Sequence, residues 1–264
     1  MKTVKDFGAR GDGVSDDTRA WQAALDAAGV IVAPPGAYSC GALILRGHSV
    51  LRLEAGAELR GRPDPALFPA RPAVRDSRLG RTPWRAFLYA QDVEHVTLEG
   101  PGAIRPGGEA AVFQDGIGDS PARPFGLHIV RCRHVTVRDL TLEGSAFWMQ
   151  RYFCCADVTL SGLHVYNHCN LNNDGMDIDG CVRVRISGCH IDASDDALVL
   201  KSESDEVCED IVVKNCVMSS HASAIKFGTG SVGGFRRIEM AGCTVRPSRA
   251  PEVHHPFKVR GGLA

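Results

Sequence analysis

The chain has 264 residues, 44% of them hydrophobic and only 6% aromatic, with a formal net charge of −1 at pH 7. That is material for one long aliphatic core, and the balanced charge excludes a general attraction to nucleic acid or to an anionic membrane. No apolar run approaches the length of a membrane span.

The opening MKTVKDFGARGDG lacks the apolar core of a signal peptide. With Met1 as the natural start this implies a cytoplasmic protein; a trimmed chain, secreted or periplasmic, would read the same. Residues 1–40 form a cap and first coil. Asp16, Asp17 and Thr18 precede Trp21, Ala24, Leu25 and Ala28 at helical spacing, and Gly29 supplies the stop. This amphipathic helix is expected to close the end of the architecture that follows. VIVAPPGAYSCGALIL and HSVLRLEAGAEL read as short strands, as does VEHVTLEGPGAI (93–104). Residues 62–84 and 105–124, rich in Pro, Arg and Gly, read as excursions from the strands.

From residue 132 the chain repeats itself. CRHVTVRDL, CADVTLSGL, CVRVRISGC, CEDIVVKNC and FRRIEMAGC begin at 132, 155, 181, 208 and 235, at intervals of 23, 26, 27 and 27. A recurring alternating segment at this period means stacked coils, each burying its apolar face only against the next. The fold class is therefore all-β, a parallel β-helix with a short N-terminal capping helix, forming one domain over 1–264. In the third copy Val182, Val184 and Ile186 share parity and face inward. Two ladders follow: Cys132, Cys155, Cys181, Cys208, Phe235, and Leu140, Leu163, Cys189, Cys216, Cys243. Because these cysteines interchange with Leu and Phe, they read as buried thiols serving as small hydrophobes. Disulfide staples are the alternative. A zinc site is disfavoured, since no CxxC pair exists and adjacent Cys154 and Cys155 alternate faces. Residues 248–264 lack the β pattern and are expected to form a loose, irregular tail.

The segment NNDGMDIDGCVRVRISGCHIDASDDALVLKS (172–202) places Asp174 and the pair Asp195–Asp196 on successive coils near matching positions. Asn-Asp-Gly and Ser-Asp-Asp are also ordinary turn sequences, and a solenoid needs a turn at every corner. Strict alternation from Met176, Ile178, Leu198 and Leu200 would send Asp174 and Asp196 inward, so both must sit at a corner just before their strands begin.

Three segments together resemble the polygalacturonase family, glycoside hydrolase family 28, with its right-handed, pectin-lyase-like β-helix. VKDFGARGDGVSDDTRAWQAALDAAG is similar to the family's N-terminal cap, and RPFGLHIVRCRHVTVRDLTLEGSAFWMQRYFCCADVTLSGLHVYN to its central coils, including Trp148. Residues 172–202 resemble its Asn-Thr-Asp segment and its paired aspartates. The resemblance implies an inverting hydrolase of pectic polymers or oligosaccharides, with Asp195 as general acid and Asp174 with Asp196 holding and deprotonating the water. Inversion asks for carboxylates about 6.5–9.5 Å apart, and coils stacked about 4.8 Å apart can offer this with a lateral offset. The implied partner is an acidic poly- or oligosaccharide, with no nucleic acid, membrane, metal or cofactor.

Lys201 and Lys226 share outward parity on adjacent coils and could pair with a uronate carboxylate; the alternative is solvated surface lysines. The family's Gly-His-Gly falls at Ser223, with His221 two residues early, either reaching the site from a shifted loop or standing by. The family's Arg-Ile-Lys motif has no match, although PFKVRGG offers Lys258 and Arg260. Asp192, in the same segment but before the corner, is expected to tolerate replacement by Asn. Two competing functions stay open. One is a calcium-dependent polysaccharide lyase using Asp174, Asp177, Asp195 and Asp196 as ligands. The other is a non-catalytic glycan-binding or tailspike-like β-helix.

Overall fold

Val96, Val135, Val158, Val184, Ile211 and Ile238 stack on one another, coil after coil, in parallel register. Each is β-branched and, Val212 apart, the neighbours of opposite parity are polar, so only one register buries the whole set. The computed structural model describes residues 1–71, 84–114 and 123–250. These form three parallel sheets of nine, nine and seven strands wound into a right-handed parallel β-helix. One coil runs Val182–Ser187 in the first sheet, His190–Ala193 in the second and Leu198–Lys201 in the third.

The corner between the first two sheets has one left-handed residue per coil: Asp139, Gly162, Gly188, Asn215 and Gly242, all with φ between 56° and 64° except Asn215 at 55°. Gly, Asn and Asp tolerate this conformation, which explains why the repeats end in short polar residues or glycine.

Helix α1 (Thr18–Asp26) buries Trp21, Ala24 and Leu25 against the first coil. Gln22 closes the free edge of the third sheet: its Oε1 accepts from the Ile44 N–H at 2.9 Å and its Nε2 donates to the Ile44 carbonyl at 3.1 Å. A side-chain amide thus takes the place of a missing strand. Ala28, expected on the buried helical face, lies beyond the helix end with φ 52°, and Gly29 follows at φ 77°.

All ten cysteines are free thiols. Cys132, Cys155, Cys181, Cys208, Cys189 and Cys216 are buried in the core as their ladders require. Cys243 departs from that expectation and is only half-buried, because it lies on the last described coil.

Of the two excursions, the described parts include short 3-10 turns at Pro65–Leu67 and Ala111–Phe113 and an antiparallel bridge between Arg71 and Trp84. Residues 72–83 and 115–122 lie outside the described residues, as do 251–264 with Lys258 and Arg260. The expected looseness of the tail does not extend to its start. Ser248 Oγ donates to Asp192 Oδ1 at 2.7 Å and the Arg249 N–H to Asp192 Oδ2 at 3.0 Å.

Candidate active site

Asp174 and Asp196 sit at the corner between the second and third sheets, each two residues before its strand, at Met176 and Leu198. The Gly175 N–H donates to the Asp196 carbonyl at 2.9 Å, and the Asp195 N–H lies 3.4 Å from the Asn173 carbonyl. The two acidic corners therefore stack directly. Residue 175 must be glycine: a Cβ there would lie 2.4 Å from Ile191 Cγ2 and 2.7 Å from the Ala197 carbonyl oxygen.

Asparagines hold the corner in shape. Asn167 Nδ2 donates to the Asp174 carbonyl at 2.9 Å, and its Oδ1 accepts from the Ser145 N–H at 2.9 Å. Asn173 Nδ2 reaches the carbonyls of Ser145 and Phe147 at 2.9 and 2.7 Å. These buried amides satisfy backbone groups that a turn would leave unpaired. The sequence reading passed over them, although the run Asn167, Asn170, Asn172, Asn173 was its visible signal.

The three predicted catalytic residues come together here. Asp174 and Asp196 are buried and Asp195 is half-exposed. Burial pushes the Asp174 carboxyl well above the usual carboxylate range, and the charges of Asp177 and Asp195 push it further, against the pull of Lys201. Asp196 Oδ2 pairs with Lys226 Nζ at 2.6 Å, whereas its Oδ1 is buried with no hydrogen-bond partner. Burial works against the Lys226 charge, but Asp196 outweighs it and raises the lysine pKa.

Lys201 is no solvated surface lysine. Its ammonium lies 3.6 Å from both Asp177 Oδ1 and Glu203 Oε1 and 3.9 Å above the Trp148 ring. Beside it Arg151, also buried, donates to Asp179 Oδ2 at 2.5 Å and to Glu203 Oε2 at 2.9 Å, with its guanidinium packed on Trp84, Trp148 and Phe153. Burial raises Asp177 to about 7, although Lys201 and Arg151 pull it down. Arg151, Asp177, Asp179 and Glu203 were missed as a cluster. The strand parities of Arg151, Asp177 and Asp179 were readable, but Glu203 lies past a strand end, where only the backbone path decides its place.

His221 is not gathered into this group by its contacts. Its ring meets His168 edge-on at 5.0 Å and its Nε2 lies 3.2 Å from the Ala250 carbonyl. It belongs to a separate cluster around Asp192. His168 Nε2 lies 2.8 Å from Asp192 Oδ1 and donates to it, since a carboxylate can only accept; burial lowers the pKa of this imidazole against the pull of Asp192. Burial opposes the Asp192 charge, but bonds from Arg249, Ser248 and His168 hold its pKa below the usual range. Asp192 thus ties the returning chain to its strand, a set of contacts that the reading of the sequence did not anticipate. At the family histidine position, the Ser223 carbonyl accepts from the Ala197 N–H at 2.9 Å, and the cation above Asp196 is Lys226.

The model of glycosyl hydrolases family 28 matches residues 74–250. The chain belongs to this family. A second model, rhamnogalacturonase A/epimerase, pectate lyase-like, matches residues 2–77. This family 28 chain is 23% identical over 261 residues to a probable polygalacturonase of Vitis vinifera, covering 89% of the chain and 53% of that protein. It is 28% identical over 215 residues to a polygalacturonase of Persea americana, covering 76% and 44%. The chain thus spans about half the length of these curated relatives. The solved structure of a hyperthermoactive exopolygalacturonase from Thermotoga maritima superposes with a TM-score of 0.79 at 21% identity, over 93% of this chain and 68% of that one. Among the described residues, no helix is long and apolar enough to cross a membrane.

Proposed function

We propose that the chain is an inverting glycoside hydrolase of acidic pectic chains, such as polygalacturonan or rhamnogalacturonan. The observation that carries this is Asp196. One of its oxygens is engaged by Lys226 and the other is buried without a partner, on the corner shared with Asp174 and Asp195. A carboxylate oxygen left without a protein partner is an acceptor for the hydrolytic water. Asp195, the most exposed of the three, protonates the leaving glycosidic oxygen. Asp196 accepts the proton of the water, which Asp174 helps to orient, as the water attacks the anomeric carbon from the opposite face. Burial, reinforced by the neighbouring carboxylates, raises Asp174 well above the usual range, which favours a protonated carboxyl in the cluster. Lys201 and Lys226 supply positive charge for the uronate carboxylate of the substrate. The single-domain reading of 1–264 is part of this proposal, as is a reducing compartment, which suits ten free thiols.

Two of the four carboxylates that a calcium-dependent lyase would use already face protein cations, Asp177 with Lys201 Nζ at 3.6 Å and Asp196 Oδ2 with Lys226 Nζ at 2.6 Å, which favours hydrolysis. Digestion of polygalacturonate with and without chelator tests the proposal. New reducing ends with inverted anomeric configuration and no unsaturated chromophore are expected. A chromophore that chelator abolishes would instead establish the lyase, and absence of any product from any pectic substrate would favour a binding module.

A further inference from the structure

We infer that the outer face of the second sheet carries a separate groove for an anionic sugar chain. The groove has a volume of about 850 Å³ and is bordered by His164, Tyr166, His190, Asp192, Arg246 and Arg249. Parallel register stacks His164 beneath His190 and Tyr166 beneath Asp192. The floor therefore presents one stacked pair of rings, the two imidazoles lying 5.2 Å apart and 19° from parallel, with the Tyr166 ring on the same face.

Its charge balance points to the ligand. The acids that line it are already engaged: Glu143 pairs with Arg105, and Asp192 is bonded by His168, Ser248 and Arg249. The Arg246 side chain has no hydrogen bond or ion pair within the described residues, and Arg249, 76% exposed, lies over the Tyr166 ring at 5.5 Å with one loose contact to Asp192 at 3.4 Å. One guanidinium over the Tyr166 ring and a second on the groove's border suit a chain of sugars bearing carboxylates: the rings take the apolar sugar faces and the guanidinium forks take the acids. The groove adjoins the acidic corner, since Ser219 lines it while Ser220 donates to the Asp195 carbonyl. It nevertheless occupies a different sheet from Trp148, Lys201 and Arg151. The inference rests on the charges of the groove itself and not on the catalytic reading.

The test uses the full chain with Asp195→Asn, titrated with oligogalacturonate and with a neutral cello-oligosaccharide of equal length. Amide NMR shifts at Arg246, Ser248 and Arg249 locate binding, and calorimetry gives affinity. Oligogalacturonate should shift these amides, and Arg246→Glu should weaken that site about tenfold or more. Arg246→Ala should show a smaller loss in the same direction, and added salt should weaken binding to the parent. Shifts confined to the acidic corner, an equal response to the neutral oligomer, or unchanged affinity in Arg246→Glu would overturn the inference. Hydrolysis is measured separately in the chain carrying Asp195, so an inactive protein leaves the binding result readable.

Discussion

Asp174, Asp195 and Asp196 are chemically identical side chains within one corner, and their surroundings divide the work among them. Asp195 reaches solvent, Asp174 is buried among like charges, and Asp196 has one oxygen paired and one free. If they act as a unit, Asp195→Asn should keep the fold and substrate binding but lose about 10²–10⁴-fold in turnover, because an amide cannot donate the proton. Asp196→Asn should fail comparably, and the double substitution should be little worse than either single one. Asp205, which is exposed, is the control in place of Asp192, and Asp205→Asn should be neutral in turnover. Wild-type turnover in Asp195→Asn would remove this residue from the mechanism. The corner was readable from the sequence because parity forbids Asp174 and Asp196 from lying within their strands. The charge partners were not: Arg151 and Glu203 are 52 residues apart, and no local periodicity relates a strand residue to one in a loop.

At the scale of the coil, the cysteine ladders were legible because burial in a stacked strand is set by alternation alone. Cys216 occupies the position that Leu140 and Leu163 hold in earlier coils, and all three are buried. Cys216→Asp would place an unpaired charge in that stack and should cost on the order of 3 kcal/mol or more, measured by denaturant unfolding. Thiol labelling of the native protein should proceed in a definite order. Half-buried Cys243 reacts first; Cys154 and Cys169 are also half-buried, but burial pushes their thiols up to about 11 and about 12. The remaining thiols should wait for unfolding, and early labelling of Cys181 or Cys208 would contradict the inward register. What alternation could not reveal is the fastening of residues 248–250. Asp192 lies on the outward face of its strand and reads as a solvated residue until the returning chain covers it. Asp192→Ala should therefore lower the melting temperature and expose the segment after Pro247 to limited proteolysis. An unchanged digestion pattern would show that Ser248 and Arg249 are held in some other way.

For the molecule as a whole, the third sheet turns an unusual set of ionisable groups away from solvent, and their titration should shape stability against pH. His128 is fully buried among Trp84, Tyr89 and Phe125 with neither ring nitrogen bonded. Burial, reinforced by Arg151, lowers its pKa well below the usual value. The unfolded chain then binds a proton that the folded chain refuses, so this contribution to stability is lost as pH falls below about 6.5. Asp177 acts with the opposite sign. Its carboxyl is raised to about 7 by burial, so the folded state holds a proton that the unfolded chain has released above about 4. Its contribution is full below that point and is lost as pH rises through about 7; Asp174 adds to the same trend. Below about 6.5 the histidine and the aspartates oppose each other, whereas from pH 6.5 to 8 the aspartates act without the histidine. The melting temperature should therefore decline across that upper interval. Asp177→Asn should flatten the decline, and His128→Phe should leave it intact while reducing the loss on the acid side. Comparing slopes, not absolute melting temperatures, separates these titrations from any packing cost of the substitutions. A decline of equal slope in Asp177→Asn would mean that the buried carboxylate keeps its charge throughout, neutralised by Lys201 and Arg151.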